Sequence, residues 1–267
     1  MKRNHSIGEV VAHLDSLFHP EYQEDYDNSG FLLGNSATIY TGALVALDLT
    51  PAVITEAVNN QLNLIVTHHP FIFSGLKRIT DDSDAGRMAM TLILNGISVY
   101  AAHTNLDNLP WGVNGILAQK IGLQNCKILR EFKSAHDDSI GSGLVGELPR
   151  VVKVDTFLQK VKRLTRQPSI RTSPHSATQR IQRVALCGGA GSFLIHDAID
   201  AGADIFITAD LKYHDFQRAE GRLILVDAGH YETEQFAKEI IYRAISEKFS
   251  NFACRISENQ ASLIQYM

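Results

Sequence analysis

Cysteine is scarce in this 267-residue chain. Cys126, Cys187 and Cys254 are odd in number and too widely spaced for a disulfide framework or a zinc knot, and they point to a reducing compartment. Long apolar runs are missing as well: none approaches the roughly 18 residues that a membrane span needs. The opening Met1–Ser6 runs into Ile7-Gly8-Glu9-Val10 without an apolar core or a small-residue cleavage site, so the chain is expected in the cytoplasm. Neither sign of charge dominates. A formal charge of −4 demands neither nucleic acid nor an anionic membrane as partner. Several catalytic signatures are absent too: a Gly-x-Ser-x-Gly elbow, a local cysteine signature, a Walker loop and a full dinucleotide fingerprint. Their absence argues against a covalent nucleophile and against the common nucleotide-binding loops.

What is present is a hydrophobic content of 45%, ordinary for a folded core, arranged in a regular alternation. Short β-branched runs at 43–47, 64–67, 98–101, 184–187, 205–208 and 223–226 predict strands. Between them, segments of helical period at 52–60, 86–95, 191–201 and 213–220 predict helices. Thr50 before Pro51 is one helix-start signal. The pattern is that of an α/β protein with mostly parallel sheets. It also repeats. Leu44-Val-Ala-Leu-Asp48, a helix, then Leu64-Ile-Val-Thr-His68-His69 resembles Arg183-Val-Ala-Leu-Cys187, a helix, then Ile205-Phe-Ile-Thr-Ala209-Asp210. A third strand follows in each half. We therefore expect two similar, duplicated α/β lobes, 1–130 and 131–267, with the C-terminal segment packing back on the first. The polar, aperiodic stretch around 131–139 marks the boundary, and a cleft between the lobes holds the site.

The candidate chemistry lies at the strand ends. His68 and His69 follow one strand directly, and Pro70 holds them extended, which predicts imidazoles on opposite sides of the backbone. His103-Thr-Asn-Leu-Asp107 and His230-Tyr-Glu-Thr-Glu234 follow the two third strands with the same four-residue spacing, which on a helix puts both side chains on one face. A lone histidine at a strand end is more often a satisfied hydrogen-bonding residue than a ligand; three strand ends with histidine, two with an acid in step, are hard to obtain that way. Imidazoles and carboxylates without thiolate suit Zn, Mn, Fe, Co or Ni. A carboxylate bridging two ions about 3.5–4 Å apart, for which Glu234 is the candidate, makes hydrolytic chemistry the natural use.

The runs Asp27-Asn-Ser-Gly30, Thr67-His-His-Pro-Phe71, Ala102-His-Thr-Asn-Leu-Asp107, Gly188-Gly-Ala-Gly191, Thr208-Ala-Asp-Leu-Lys-Tyr-His214 and Gly229-His-Tyr-Glu-Thr-Glu234 resemble the NGG-one-interacting-factor-three-like family, whose members are commonly named GTP cyclohydrolase I type 2 homologues. The resemblance spans nearly the whole chain, in the short form that lacks a middle domain. It implies a duplicated α/β fold, a ring-shaped homohexamer and two divalent metal ions per chain held by His68, His69, Asp107, His230 and Glu234. His103 and His214 lie close by as candidate acid–base groups, His103 also as a weak ligand. Tyr26 stands where Trp is common, Leu144 where many members have Arg, and Ala209 where Gly is usual. These departures spare the ligands and weaken inference about shared substrate contacts.

Two features stay open. Gly188, Gly189 and Gly191 form a strand-to-helix turn that either holds a phosphate or is simply tight. Between Arg150 and Arg183 nine basic residues meet one acid, Asp155; such a stretch is usually a solvated face, with anion binding the alternative. The leading expectation is a dinuclear metal-dependent hydrolase acting on a nucleotide or phosphorylated small molecule, in one version opening the guanine ring of GTP. The alternatives are a metal-dependent phosphatase or phosphodiesterase, and a non-catalytic metal-binding or protein-interaction ring. Nucleic-acid binding ranks last.

Overall fold

The computed structural model describes residues 4–132, 139–219, 221–260 and 262–265. In chain order it begins with α1 (Ile7–Phe18), β1 (Gly30–Leu33), β2 (Gly42–Ala46), α2 (Pro51–Asn59), β3 (Leu64–Thr67), α3 (Asp84–Leu94) and β4 (Ser98–Ala101). The short α4 (Thr104–Asp107) leads to α5 (Val113–Ile121), β5 (Gln124–Phe132), β6 (Ile140–Lys153), α6 (Val154–Thr165), β7 (Arg171–Thr172) and β8 (Arg180–Ala190). Then come α7 (Ile195–Asp200), β9 (Ile205–Ala209), α8 (Tyr213–Arg218), β10 (Ile224–Asp227), α9 (His230–Glu234), α10 (Ala237–Lys248) and β11 (Ala253–Ile256). Among the described residues, no helix is long and apolar enough to cross a membrane.

Two compact units result. The first takes the chain up to Leu106 and again from Ala237 to Ala261; the second runs from Asp107 to Phe236 and takes in the chain from Ser262. The division expected at 130/131 falls instead inside β5, where Arg130 and Glu131 pair with Ser142 and Gly141 of β6. The physical reason is that β5 is the edge strand of its sheet and is largely exposed, so it reads as polar. Residues 133–138 of that expected boundary lie outside the described residues.

In the first unit the strand order is β1-β4-β3-β2-β11, with β11, β2, β3 and β4 parallel and β1 antiparallel at the edge. β2, β3 and β4 are buried along their whole lengths, which is how strands read when a parallel sheet is covered on both faces. Leu44, Ala46, Ile65 and Val99 on one face meet Val53, Ile54 and Ala57 of α2 and Leu92 of α3. Fully burying each of the leucine, isoleucine and valine side chains contributes about 1.5–3 kcal/mol. The helices start where local chemistry dictates. Ser6 and Glu9 form a reciprocal capping box at α1, and the Thr50 hydroxyl accepts from the Val53 amide ahead of Pro51, each cap worth about 1 kcal/mol.

The second unit has the order β5-β6-β8-β9-β10-β7. Its centre, β8-β9-β10, is parallel and repeats the layout of β2-β3-β4, sequence order matching sheet order in both. The antiparallel strands β5, β6 and β7 complete it, so that of nine pairings among the described residues five are parallel. Its core gathers Ala185 and Cys187 of β8, Phe206 of β9 and Leu225 of β10 against Ile195 and Ala198 of α7. Several members of the basic stretch are tied inside this unit. Arg171 binds Asp227 and the Leu211 carbonyl, Arg183 reaches Glu147 at 3.3 Å, and the Lys160 ammonium donates to the Ile121 carbonyl at 2.5 Å. In each unit the carboxyl ends of the parallel strands deliver the polar residues, the usual place for a site on such sheets.

Candidate metal centre

The first unit gathers three histidines of its own. Strand pairing ends at Thr67, and a bend follows in which the His68 and His69 amides both reach back to the Leu47 carbonyl, at 3.2 and 2.9 Å. That bend overturns the expectation of diverging side chains. The two ring centroids lie 5.0 Å apart, and His103, just beyond β4, brings its ring to 5.3 Å from His68 and 5.5 Å from His69. One ligating atom from each ring lies within 4.8 Å of the other two.

Each ring is held from behind. His68 Nδ1 sits 2.7 Å from the Ala102 carbonyl, His69 Nδ1 2.7 Å from Asp48 Oδ1, and His103 Nδ1 2.7 Å from Asp27 Oδ1. A carbonyl or carboxylate oxygen accepts, so Nδ1–H is the donor and the neutral ring carries its lone pair on Nε2. This is the arrangement by which outer groups fix the tautomer and aim of metal-ligating histidines. Asp27 is the firmest support. Burial of its carboxyl works to raise its pKa, but hydrogen bonds from His103 and Thr104 outweigh that and hold it well below the usual carboxylate range.

The second unit holds Asp107, His230 and Glu234. His230 opens α9 and Glu234 closes it, so the four-residue spacing brings His230 Nε2 to 2.9 Å from Glu234 Oε2. Behind the ring, His230 Nδ1 lies 2.7 Å from Asp210 Oδ2; Asp210 takes up a left-handed backbone, φ 56°, directly after β9. Burial works to lower the pKa of His230, but the Glu234 and Asp210 carboxylates win and push it up to about 9. Asp107 ends α4, and its backbone carbonyl accepts from Asn114 Nδ2 at 3.1 Å.

The glycine turn after β8 ties these pieces together. The Gly188 amide donates to Asn114 Oδ1 at 2.9 Å, Gly189 to Thr233 Oγ1 at 3.0 Å and Gly191 to Thr208 Oγ1 at 2.8 Å. All three amides are thus engaged within the unit, and the tight-turn reading accounts for the glycines without a phosphate. Space explains them further: at Gly189, φ 61°, a Cβ would lie 2.0 Å from Glu234 Oε1 and 3.3 Å from His230 Cε1. Cys187 is buried beside these groups. Burial pushes its thiol far up, and the nearby Asp107 and Glu234 carboxylates push it further. His214 stands exposed on α8 with its Nδ1 3.0 Å from Gln217 Oε1, away from any supporting carboxylate among its hydrogen bonds.

The sequence as a whole matches the model of the family described as Duf34/NIF3 (NGG1p interacting factor 3) over residues 5–262. The chain belongs to the DUF34/NIF3 family. Among its DUF34/NIF3-type relatives, a "GTP cyclohydrolase 1 type 2 homolog" of Lactococcus lactis is 31% identical, with 95% of this chain and 96% of that protein covered. A "Protein NIF3 homolog" of Schizosaccharomyces pombe is 31% identical over 88% of this chain and 87% of that protein. In fold it is similar to a Bacillus cereus protein related to NIF3, with a TM-score of 0.92 at 22% identity and full coverage of both chains.

In this DUF34/NIF3 protein the imidazole-supporting acids Asp27, Asp48 and Asp210 escaped the reading of the sequence as site residues. A signal existed: Asp48 and Asp210 each stand just past the carboxyl end of a parallel strand, at β2 and β9 of the repeated units.

Proposed function

We propose that this DUF34/NIF3 protein is a dinuclear metal-dependent hydrolase acting on a nucleotide or another phosphorylated small molecule, with ring opening of the GTP cyclohydrolase type as its leading form. The observation that carries the reading is the convergence of His68, His69 and His103, each ring held at Nδ1. In this proposal His68 and His69 join Asp107, His230 and Glu234 in holding two divalent ions, for which nitrogen and oxygen donors without thiolate are suited. Bound ions of this kind supply Lewis acidity and bring the pKa of water near neutrality.

The chain's own groups do the remaining work. His103 exchanges a proton with substrate through Nε2, while Asp27, bonded to Nδ1, keeps the ring aimed. The His214 ring meets the Gln217 amide oxygen instead, and of the two it is His103 that has a carboxylate at Nδ1 among the described residues, which makes His103 the better candidate. His230 is protonated at neutral pH in the metal-free chain, so metal uptake there releases a proton. The names of relatives from Lactococcus and Nostoc, both "GTP cyclohydrolase 1 type 2 homolog", favour the ring-opening form. The family description as an interacting factor favours a second reading, a non-catalytic metal-binding protein that docks a partner. The homohexamer expected from the family resemblance fits either.

The test is elemental analysis of the protein and of a His68→Ala, Asp107→Ala double variant, followed by a nucleotide panel including GTP, reading formate and phosphate separately. About two metals per chain, lost in the variant, with turnover abolished by Glu234→Gln, is the expected result. Formate identifies ring opening; phosphate alone identifies a phosphatase. Stoichiometric metal without turnover supports the second reading, and no metal after reconstitution refutes both.

A further inference from the structure

We propose that Tyr26 and Phe73 form an aromatic platform beside His103 that receives the planar heterocycle of the substrate, a purine or a ring like it. The inference rests on the hydrolase reading for the word substrate, but the binding it claims does not require turnover.

Both rings are large and substantially exposed: Tyr26 is 63% exposed and Phe73 48%. Their centroids are 6.2 Å apart with planes inclined by 33°, and Phe73 stands 6.1 Å from the His103 ring, edge to face. The exposure contrasts with the rigidity beneath. Asp27, the residue after Tyr26, holds His103 Nδ1 at 2.7 Å, and its side chain is completely buried. Asn28 donates from Nδ2 to the carbonyl of Ile72, the residue before Phe73, at 2.6 Å. Ser29 closes the loop, its hydroxyl donating to Asp27 Oδ2 at 2.9 Å and its amide donating to Gln23 Oε1 at 2.7 Å. Two loops far apart in sequence are thus fastened together by the residues flanking the aromatics.

Such anchoring costs chain entropy, and it keeps two apolar rings on the surface beside an ordered imidazole. Stacking on aromatic faces is tolerant of the exact ring and favours planar π systems over sugars and phosphates. Continuity with the three-histidine cluster makes the substrate the occupant: a heterocycle resting on Phe73 and Tyr26 lies next to His103.

The test is equilibrium binding of guanosine 5′-monophosphate and ribose 5-phosphate to metal-loaded protein, for wild type, Tyr26→Phe, Phe73→Leu and Tyr26→Ala with Phe73→Ala. The double alanine variant is expected to lose roughly ten- to a hundredfold in affinity for the nucleotide, as removal of a stacking partner does. Tyr26→Phe retains affinity, and Phe73→Leu, apolar but without a π face, loses part of it. Metal content and ribose 5-phosphate affinity stay at wild-type values. Equal weakening of both ligands, unchanged nucleotide affinity in the double variant, or no preference of wild type for the nucleotide over the sugar phosphate overturns the proposal. A change of oligomeric state with nucleotide affinity intact also overturns it, by assigning the rings to a second copy of the chain. Heterocycle-selective binding without turnover leaves the platform standing and removes the hydrolase reading alone.

Discussion

Replacing Gly189 by alanine tests whether the glycine turn is shaped around the Glu234 carboxylate. At φ 61° any β-carbon is strained, by about 1–2 kcal/mol. The new methyl would also fall 2.0 Å from Glu234 Oε1 and 2.9 Å from its Cδ. Glu234 is buried and paired with His230 at 2.9 Å, so relief requires either breaking that pair or shifting the turn, an overpacking cost of about 1–3 kcal/mol. Gly202 supplies the control: its φ is 69°, and a β-carbon there would meet nothing within 4 Å. Gly202→Ala should therefore show the backbone strain alone, and Gly189→Ala the strain plus the collision. Thermal unfolding of metal-free protein, followed through Trp111, the sole tryptophan and a residue of the second unit, should separate them at about 2–4 °C per kcal/mol. Metal titration should separate them further. Displacing Glu234 is expected to weaken binding at least about tenfold, the loss typical of disturbed groups around a metal site, while Gly202→Ala binds as wild type. Equal losses of stability with equal metal affinity in the two variants would refute the reasoning.

Asp48→Asn and Asp210→Asn remove the carboxylates behind His69 and His230 and are each expected to weaken metal binding about 10- to 100-fold with little effect on fold, measured by competition with a chelator. Unchanged affinity in both would mean that those contacts do not aim the rings. Asp27 gives a pH signature. Its folded pKa lies below the unfolded value of about 3.9, so its stabilising contribution is complete above that pH and disappears as pH falls through the folded pKa. The stability gap between wild type and Asp27→Asn should hold between pH 5 and 7 and shrink below about pH 4; a gap independent of pH down to 2 would contradict the linkage.

The strands that build the two parallel centres were readable because they are buried on both faces: Leu64–Thr67 and Ser98–Ala101 are buried throughout and lack a polar alternation. β5 was not, because as an exposed edge strand it carries the composition of a linker. The pairing of His230 with Glu234 was visible by spacing, since four residues make about one helical turn and α9 places the two side chains together for that reason. The convergence of His68 with His69 was not visible. It depends on where β3 stops pairing with β2 and on a bend held by the Leu47 carbonyl, a tertiary event with no local signature. Asp27 was hidden for a similar reason: 76 residues separate it from the ring it holds.

The sheet of the first unit is finished by a strand that lies some two hundred residues after its partner, β11 beside β2. β11 pairs in parallel with β2, and just beyond it Gln260 Oε1 accepts from the Leu47 and Asp48 amides, at 2.6 and 3.2 Å. During synthesis the ribosome therefore delivers β2, an entirely buried strand, long before its neighbour, with residues 107–236 emerging in between. Until then the nascent first unit carries an open apolar edge of the kind that recruits other strands, and the segment bearing Asp48, which holds His69, lacks its tether. A ribosome that stalls before residue 253 leaves a product whose first unit lacks the strand that completes its sheet.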